Sequence, residues 1–247
     1  MKFLSLILIA SSLLSQAQVL PVTSLFNGSD LDGWYMISQD DSPGEDYFGV
    51  KDNAIHAYPN QQANSKQPFA AIITEKEYEN YILKLEYKWG DKKFAPREND
   101  VRDAGVLFHI FGKREIWPSG IECQIQEGDS GDLWIIKARA SSKVDGNGNN
   151  NYSPKGKLIT KGEKDTYSRI SRINSWEHTG WNNVMVTVDG NNAKFFINGK
   201  LVNEAINMQR YDESTKTWVP LTKGQILLQA EGSEVFYRNI TIQDLKK

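Results

Sequence analysis

The chain has 247 residues, of which 39% are hydrophobic, and it carries a formal net charge of −2 at pH 7. This charge offers no positive field for nucleic acid, so we expect no nucleic-acid partner. A single cysteine, Cys123, excludes an intramolecular disulfide and a thiolate metal cluster within one chain.

The first residues have the pattern of a signal peptide. Lys2 precedes an apolar run from Phe3 to Leu14, and Ala17 supplies a small residue for cleavage. The run is too short to remain as a membrane anchor, since a spanning helix needs about 20 apolar residues. We therefore expect a signal peptide at residues 1–17, one domain at residues 18–247, and an exported protein, periplasmic or extracellular, without an anchor after cleavage.

Two apolar/polar alternations follow in the first half of the mature chain. Residues 81–89 alternate with the period of a half-buried strand. Residues 105–111 do the same, and strict alternation would place Leu107 and His109 on one face. The His109 imidazole, with a reference pKa near 6.5, suits proton transfer at neutral pH. It could equally be a hydrogen-bonded neighbour of a site.

The central strand separates its side chains most clearly. One face carries Ile121, Cys123 and Ile125, and the other carries Glu122, Gln124 and Gln126. A carboxylate beside two amides can both donate hydrogen bonds to sugar hydroxyls and accept hydrogen bonds from them. We therefore expect this polar face to line a cleft, although an ordinary solvated face is the alternative.

Aromatic and basic residues flank this strand. Trp117 precedes it and Trp134 follows it, and both could stack on a sugar ring or simply anchor their loops. Lys137, Arg97 and Arg102 could contact hydroxyl or keto oxygens. Isolated basic residues are otherwise ordinary solvated side chains.

A polar loop and a hairpin come next. Residues 141–157 are rich in Gly and Asn, which predicts a long exposed loop rather than a calcium site, because the terminal Glu of an EF-hand is missing. Residues 184–188 and 193–197 alternate as strands. Asp189-Gly190 between them supplies the positive φ of a tight hairpin turn.

The last two strands are predicted at residues 225–231 and 235–242, with Gly232-Ser233 between them as a closing hairpin. Alternation leaves Glu231 opposite the core face, where it could be a second functional carboxylate or an ordinary strand end. Many strands without a convincing long helix predict an all-β protein, a two-sheet antiparallel jelly-roll sandwich of the concanavalin A-like lectin/glucanase type.

Several passages together resemble one family, the exported 3-keto-disaccharide hydrolases. They are Leu25–Trp34, Gly120–Gln126, Gly224–Gly232 and Tyr237–Ile242. The chain departs from the family at Asp103-Ala104-Gly105, and His109 stands where the family pattern has an arginine. That departure puts in doubt any role carried over to this position.

The resemblance implies a glycoside oxidised at C3 as substrate, with C2 deprotonation, elimination of the C1 group and hydration. We expect Glu122 to be the base and either His109 or Glu231 to be the acid. A basic residue or a divalent metal could stabilise the enolate, although the three histidines lack the close spacing of a zinc site.

Two other readings remain open. An ordinary glycoside hydrolase would need two carboxylates at a defined separation. A non-catalytic carbohydrate-binding module of lectin type would need the aromatic and amide side chains but no particular carboxylate.

Overall fold

The computed structural model describes residues 20–43 and 47–245, so the signal-peptide prediction lies outside the described residues. These residues contain no α-helix, and hence no helix able to cross a membrane. The strands in chain order are β1 (Val22–Ser24), β2 (Trp34–Ser38), β3 (Phe48–Lys51), β4 (Ala54–Ala57), β5 (Ala70–Thr74), β6 (Tyr81–Lys93), β7 (Asp103–Phe111), β8 (Ser119–Gln126), β9 (Leu133–Ile136), β10 (Arg139–Val144), β11 (Lys157–Lys161), β12 (Tyr167–Ile170), β13 (Asn182–Asp189), β14 (Asn192–Ile197), β15 (Lys200–Asp212), β16 (Thr217–Pro220), β17 (Gln225–Ala230) and β18 (Ser233–Asp244).

The strands form two antiparallel sheets. The larger has eleven strands in the order β11-β10-β15-β14-β13-β6-β18-β4-β3, with β1 on β18 and β16 on β15. The smaller has seven strands in the order β12-β9-β8-β7-β17-β5-β2. All-β composition and two packed antiparallel sheets confirm the predicted fold class.

One hydrophobic core fills the space between the sheets. Alternate residues of the larger sheet, such as Leu83 and Val186, pack in the same cluster as Cys123 and Ile226 of the smaller sheet. The period-two burial along β6 and β13 produces this arrangement, because alternate side chains of a strand point to opposite faces. The core-facing positions predicted on β8, namely Ile121, Cys123 and Ile125, are confirmed.

The predicted hairpins have different outcomes. Strands β13 and β14 pair from Val184↔Ile197 to Asp189↔Asn192, which confirms the first. The closing hairpin is wrong, because β17 belongs to the smaller sheet and β18 to the larger. The turn at Gly232, with φ of +72°, carries the chain across the sandwich. Both strands can then direct their apolar faces into the same core.

The polar loop is shorter than predicted. Strand β10 continues to Val144, and Ser142 within it is fully buried. The connection to β11 also contains buried Tyr152, which forms a bridge with Val144. The exposed residues therefore form two short stretches, the Gly- and Asn-rich centre at residues 146–149 and residues 154–157 on either side of half-buried Gly156.

Candidate functional site

A cavity of about 350 Å³ opens on the face of the smaller sheet that points away from the core. Five residues proposed from the sequence line it, namely Trp117, Glu122, Gln124, Trp134 and Glu231. Asp103, Ile136 and Tyr167 complete the lining. The cavity therefore brings together side chains that are up to 128 positions apart in the chain, from Asp103 to Glu231.

The position of Glu122 follows from the pairing of adjacent strands. Glu122 lies opposite Leu107 of β7 on one side and opposite Trp134 of β9 on the other. Gly105 leaves room beside it, because a Cβ on residue 105 would overlap the carboxyl group of Glu122 and the amide oxygen of Gln229. A residue without a side chain is therefore required at this point of the cavity floor.

Asp103 lies at the centre of a hydrogen-bond network. It faces Gln126 across the β7–β8 pair. Its carboxylate accepts from Gln124 Nε2 at 2.8 Å, from Gln126 Nε2 at 2.9 Å and from Arg97 Nη1 at 2.5 Å. Both amides expected to contact a substrate, Gln124 and Gln126, therefore hold a carboxylate, which leaves fewer of their hydrogen-bonding groups for a sugar.

Sequence reasoning missed Asp103, although a usable signal was present. Asp103, Gly105 and Leu107 are two residues apart, so the alternation that sorted the rest of β7 also puts Asp103 on the cavity face. The residue was noted only as a departure from the family pattern.

Glu231 is held from two directions. Trp117 Nε1 donates to its Oε1 at 2.8 Å, and Arg97 Nη1 lies 3.3 Å from its Oε2. Arg97 therefore bridges Glu231 and Asp103, and the indole of Trp117 is fixed as a wall of the cavity.

Burial raises the pKa values of all three carboxyl groups, and repulsion from neighbouring carboxylates adds to the shifts of Glu122 and Glu231. Burial raises the pKa of Glu122 well above its ordinary value, and the charges of Glu231 and Asp103 add to this shift. Burial, with the charge of Asp103, raises the pKa of Glu231 to about 7. The pKa of Asp103 is raised by burial, against the opposing charge of Arg97. The guanidinium of Arg97 contacts two of the three carboxyl groups, and its single positive charge does not balance three negative charges. The carboxyl groups therefore keep bound protons at neutral pH.

The prediction that His109 shares the face of Glu122 is wrong. The β7–β8 register shifts between Phe108 and Phe111, and His109 has a φ of +50°. This bulge reverses the alternation, so Ile110 joins Leu107 on the cavity side.

The His109 ring instead lies on the core side. It is fully buried, packs edge-on against Tyr81 of the other sheet, and lies within hydrogen-bond distance of the Glu79 and Leu221 carbonyl oxygens. Burial lowers its pKa to about 4. His109 therefore has no access to the cavity, and the expectation that it is the acid is wrong.

The remaining basic candidates lie apart from one another. Arg97 is in the carboxyl cluster, as described. Arg102 pairs with Glu127 at 3.0 Å and lines a separate cavity beside Trp89. Lys137 donates to Glu115 at 2.6 Å and to the Trp117 carbonyl oxygen at 3.3 Å. Its visible role is to support the loop that carries Trp117.

A second cavity, of about 510 Å³, adjoins the first. Trp117 and Tyr167 belong to both, and the second extends towards Ser38 and Arg114. Arg114 lies over the ring of Tyr35, with 4.0 Å from Cζ to the ring centroid. The two cavities therefore meet at Trp117 and Tyr167.

The divalent metal considered from the sequence has no evident set of ligands among the described residues. Within residues 20–43 and 47–245, no group of three or more His, Cys, Asp or Glu side chains is arranged to hold a metal ion. Arg97 occupies the position between two of the carboxylates, so a cation is already present there.

Comparisons with known proteins agree with this architecture. Residues 21–243 match the model of the 3-keto-alpha-glucoside-1,2-lyase-like domain. Two structures from Parabacteroides distasonis, both described as glycosyl hydrolases, are 22% and 19% identical to the chain. They superpose with TM-scores of 0.55 and 0.54, over 91% of this chain and 94% and 100% of theirs. None of the curated proteins is detectably similar in sequence.

A carbohydrate-binding module shares the same architecture. The CBM66 module from Bacillus subtilis is 10% identical and has a TM-score of 0.53, over 86% of this chain and 96% of its own. At this level of identity, all three structures establish the fold alone.

Proposed function

The chain belongs to the 3-keto-alpha-glucoside-1,2-lyase-like family, and we propose that it hydrolyses glycosides whose sugar ring carries a ketone at C3. Its function concerns carbohydrate. The observation that supports a catalytic role is the set of three buried carboxyl groups around one cavity, two of them bridged by a single arginine.

The chemistry follows from the ketone. A C3 carbonyl makes the C2 proton acidic, so a base can remove it while the C1–O bond breaks and the leaving oxygen takes a proton. The product is an unsaturated ketone with a C1=C2 double bond. Water then adds its hydroxyl group to C1 and a proton to C2, which gives the free 3-keto sugar and the released alcohol.

This sequence needs one carboxylate and one carboxylic acid in the same cavity. Glu122 and Glu231 are the two candidates, since both line the cavity and both have raised pKa values caused first by burial. Arg97, held beside Glu231 and Asp103, places a positive charge where it can stabilise the developing enolate.

The two cavities suggest how the substrate is held. We place the oxidised ring in the smaller cavity, between the walls formed by Trp117 and Trp134. The leaving group then lies beyond Trp117, in the larger cavity. Gln124, already bonded to Asp103, keeps its amide oxygen for the sugar.

Export is part of the proposal. The pattern of residues 1–17 is that of a signal peptide, which would deliver the protein to a periplasmic or extracellular location. Amino-terminal sequencing of the protein from fractionated cells should give Gln18 as the first residue, and a cytoplasmic protein that retains Met1 would exclude export.

An assay of two substrates tests the activity. The protein without residues 1–17 is incubated with a 3-keto-α-glucoside and with the same glucoside unoxidised, each with and without a chelator. We expect release of free sugar from the oxidised compound only. Glu122→Gln should lower the rate by about 10²–10⁴-fold, the usual contribution of a general acid or base. Glu127→Gln, on a side chain that pairs with Arg102 outside the cavity, is the matched control.

Other outcomes identify the alternatives. Turnover of the unoxidised glucoside would favour an ordinary two-carboxylate glycoside hydrolase. Sugar binding without turnover of either compound would favour a non-catalytic carbohydrate-binding module. Loss of activity with the chelator would require a metal that the side-chain arrangement does not itself indicate.

A further inference from the structure

Gln229, on strand β17, has an amide group whose orientation is fixed. Its Nε2 donates to the Ile116 carbonyl oxygen at 2.7 Å, and the side chain is fully buried. The Oε1 atom must therefore point the other way. There it is buried without a hydrogen-bond partner among the described residues. Such an acceptor is costly unless a donor reaches it.

The neighbour of this oxygen is the carboxyl group of Glu122. Both Gln229 Oε1 and Glu122 Oε1 occupy the space over Gly105 that a Cβ would fill. Two oxygen acceptors facing each other in a buried site repel, whereas a proton on Glu122 would convert the contact into an O–H···O hydrogen bond. No described residue donates a hydrogen bond to the Glu122 carboxyl group, so an ionised Glu122 would have only water in the cavity to stabilise it.

The other two carboxyl groups have the opposite surroundings. Glu231 accepts from Trp117 and Arg97, and Asp103 accepts from Arg97 and two glutamines. Donors stabilise a carboxylate, whereas a lone acceptor stabilises a carboxylic acid.

We propose that Gln229 is a positioning residue that holds Glu122 in its protonated form, so that Glu122 is the proton donor of the reaction and Glu231 is the base. This reverses the role expected for Glu122 from the sequence. Burial and the neighbouring charges of Glu231 and Asp103, which raise the pKa of Glu122, act in the same direction. The location of the proton stands by itself, while the two catalytic roles rest on the proposed function.

The steps balance with these two groups alone. The Glu231 carboxylate takes the C2 proton, the C1–O bond breaks, and the Glu122 carboxylic acid gives its proton to the leaving oxygen. In the hydration step the Glu122 carboxylate takes a proton from the attacking water, whose hydroxyl group bonds to C1. Glu231 returns the proton to C2, and both groups regain their starting forms.

Infrared difference spectroscopy tests the proton directly. Spectra of the wild-type protein and Glu122→Gln are compared at pH 8, where Glu231 is mostly ionised. We expect a carboxylic acid C=O band, shifted by ¹³C-labelled glutamate, that is present only in the wild type. An ionised Glu122, with no such band, overturns the proposal. Glu122→Gln should also fold well, since its amide can donate to Gln229 Oε1 as the acid does.

The role of Gln229 is tested by removing its acceptor. In Gln229→Leu, or Gln229→Met if the first variant does not fold, the pH at which the band disappears should fall by about one unit, the effect of one hydrogen bond. Gln225→Leu on the same strand, whose amide bonds to Tyr35 and Thr74 instead, is the matched control. An unchanged midpoint in the Gln229 variants would mean that Gln229 does not hold the proton.

The activity assay separates this proposal from the proposed function. If the band is present and moves as expected but no 3-keto-glucoside is cleaved, the proposed function fails and the role of Gln229 stands. If the sugar is released while Glu122 is ionised, the proposed function stands and the present assignment fails.

Discussion

Glu231→Gln gives the most direct test of the electrostatics of the cavity. The wild-type carboxyl has a pKa of about 7, against an ordinary value of 4.5, because of its burial and the charge of Asp103. At about 1.4 kcal/mol per unit, this shift corresponds to about 3 kcal/mol. The side chain is almost fully buried, so little of this is lost to solvent screening.

The sign follows from the direction of the shift. A pKa that is higher in the folded state means that the folded protein binds more protons than the unfolded chain between pH 4.5 and 7. The stability linked to Glu231 is therefore fully present below pH 4.5 and is lost as the pH rises to 7. Glutamine does not titrate, so the stability of the variant lacks this loss. Asp103 titrates in both proteins, so its contribution largely cancels when their stabilities are compared.

Urea or thermal unfolding at pH 4.5 and pH 8 measures the difference. The two proteins should have similar stability at pH 4.5, and at pH 8 the variant should be more stable by about 3 kcal/mol. For a domain of this size, that difference is about 6–12 °C in Tm. Glu127→Gln removes a carboxylate outside the cavity and controls for net charge. If the stability of the wild type and that of Glu231→Gln changed with pH in the same way, the reasoning would be refuted.

Two further predictions concern strand β7. Gly105→Ala should abolish most activity, because its Cβ would overlap Glu122 and Gln229. The free energy of unfolding, measured in urea, should fall by about 1–3 kcal/mol. An active, equally stable variant would contradict the described floor of the cavity. Asparagine tolerates the φ of +50° at position 109, so His109→Asn keeps the backbone conformation. The variant should change the Tm but not the pH dependence of activity, because the ring faces the core. A shifted pH–rate profile would show that His109 acts in the site.

Alternation along each strand determined much of the fold and part of the site. The separation of Ile121, Cys123 and Ile125 from Glu122, Gln124 and Gln126 is a local property of the backbone, so it could be predicted from the order of residues. The same rule placed Glu231 on the cavity face, and it also applied to Asp103, where it was not used. The Asp189-Gly190 turn was predictable because its two strands are consecutive and pair directly.

Alternation fails where the backbone departs from a regular strand. At His109 the bulge moves one residue out of register, so every face assignment beyond it is reversed. At Gly232 the same short turn could have joined a hairpin or crossed between sheets. The choice depends on which distant strands pair with β17 and β18, namely β5 and β7 on one side and β4 and β6 on the other.

The sequence by itself therefore determined the type of fold and the polar face of β8, since both follow from a repeat of two residues. Only the tertiary structure decided which charges meet. Arg97 reaches Glu231 across 134 positions of the chain, and Gln229 reaches the Ile116 carbonyl oxygen across 113. Such contacts depend on strand order and register, and so do the pKa values that follow from them.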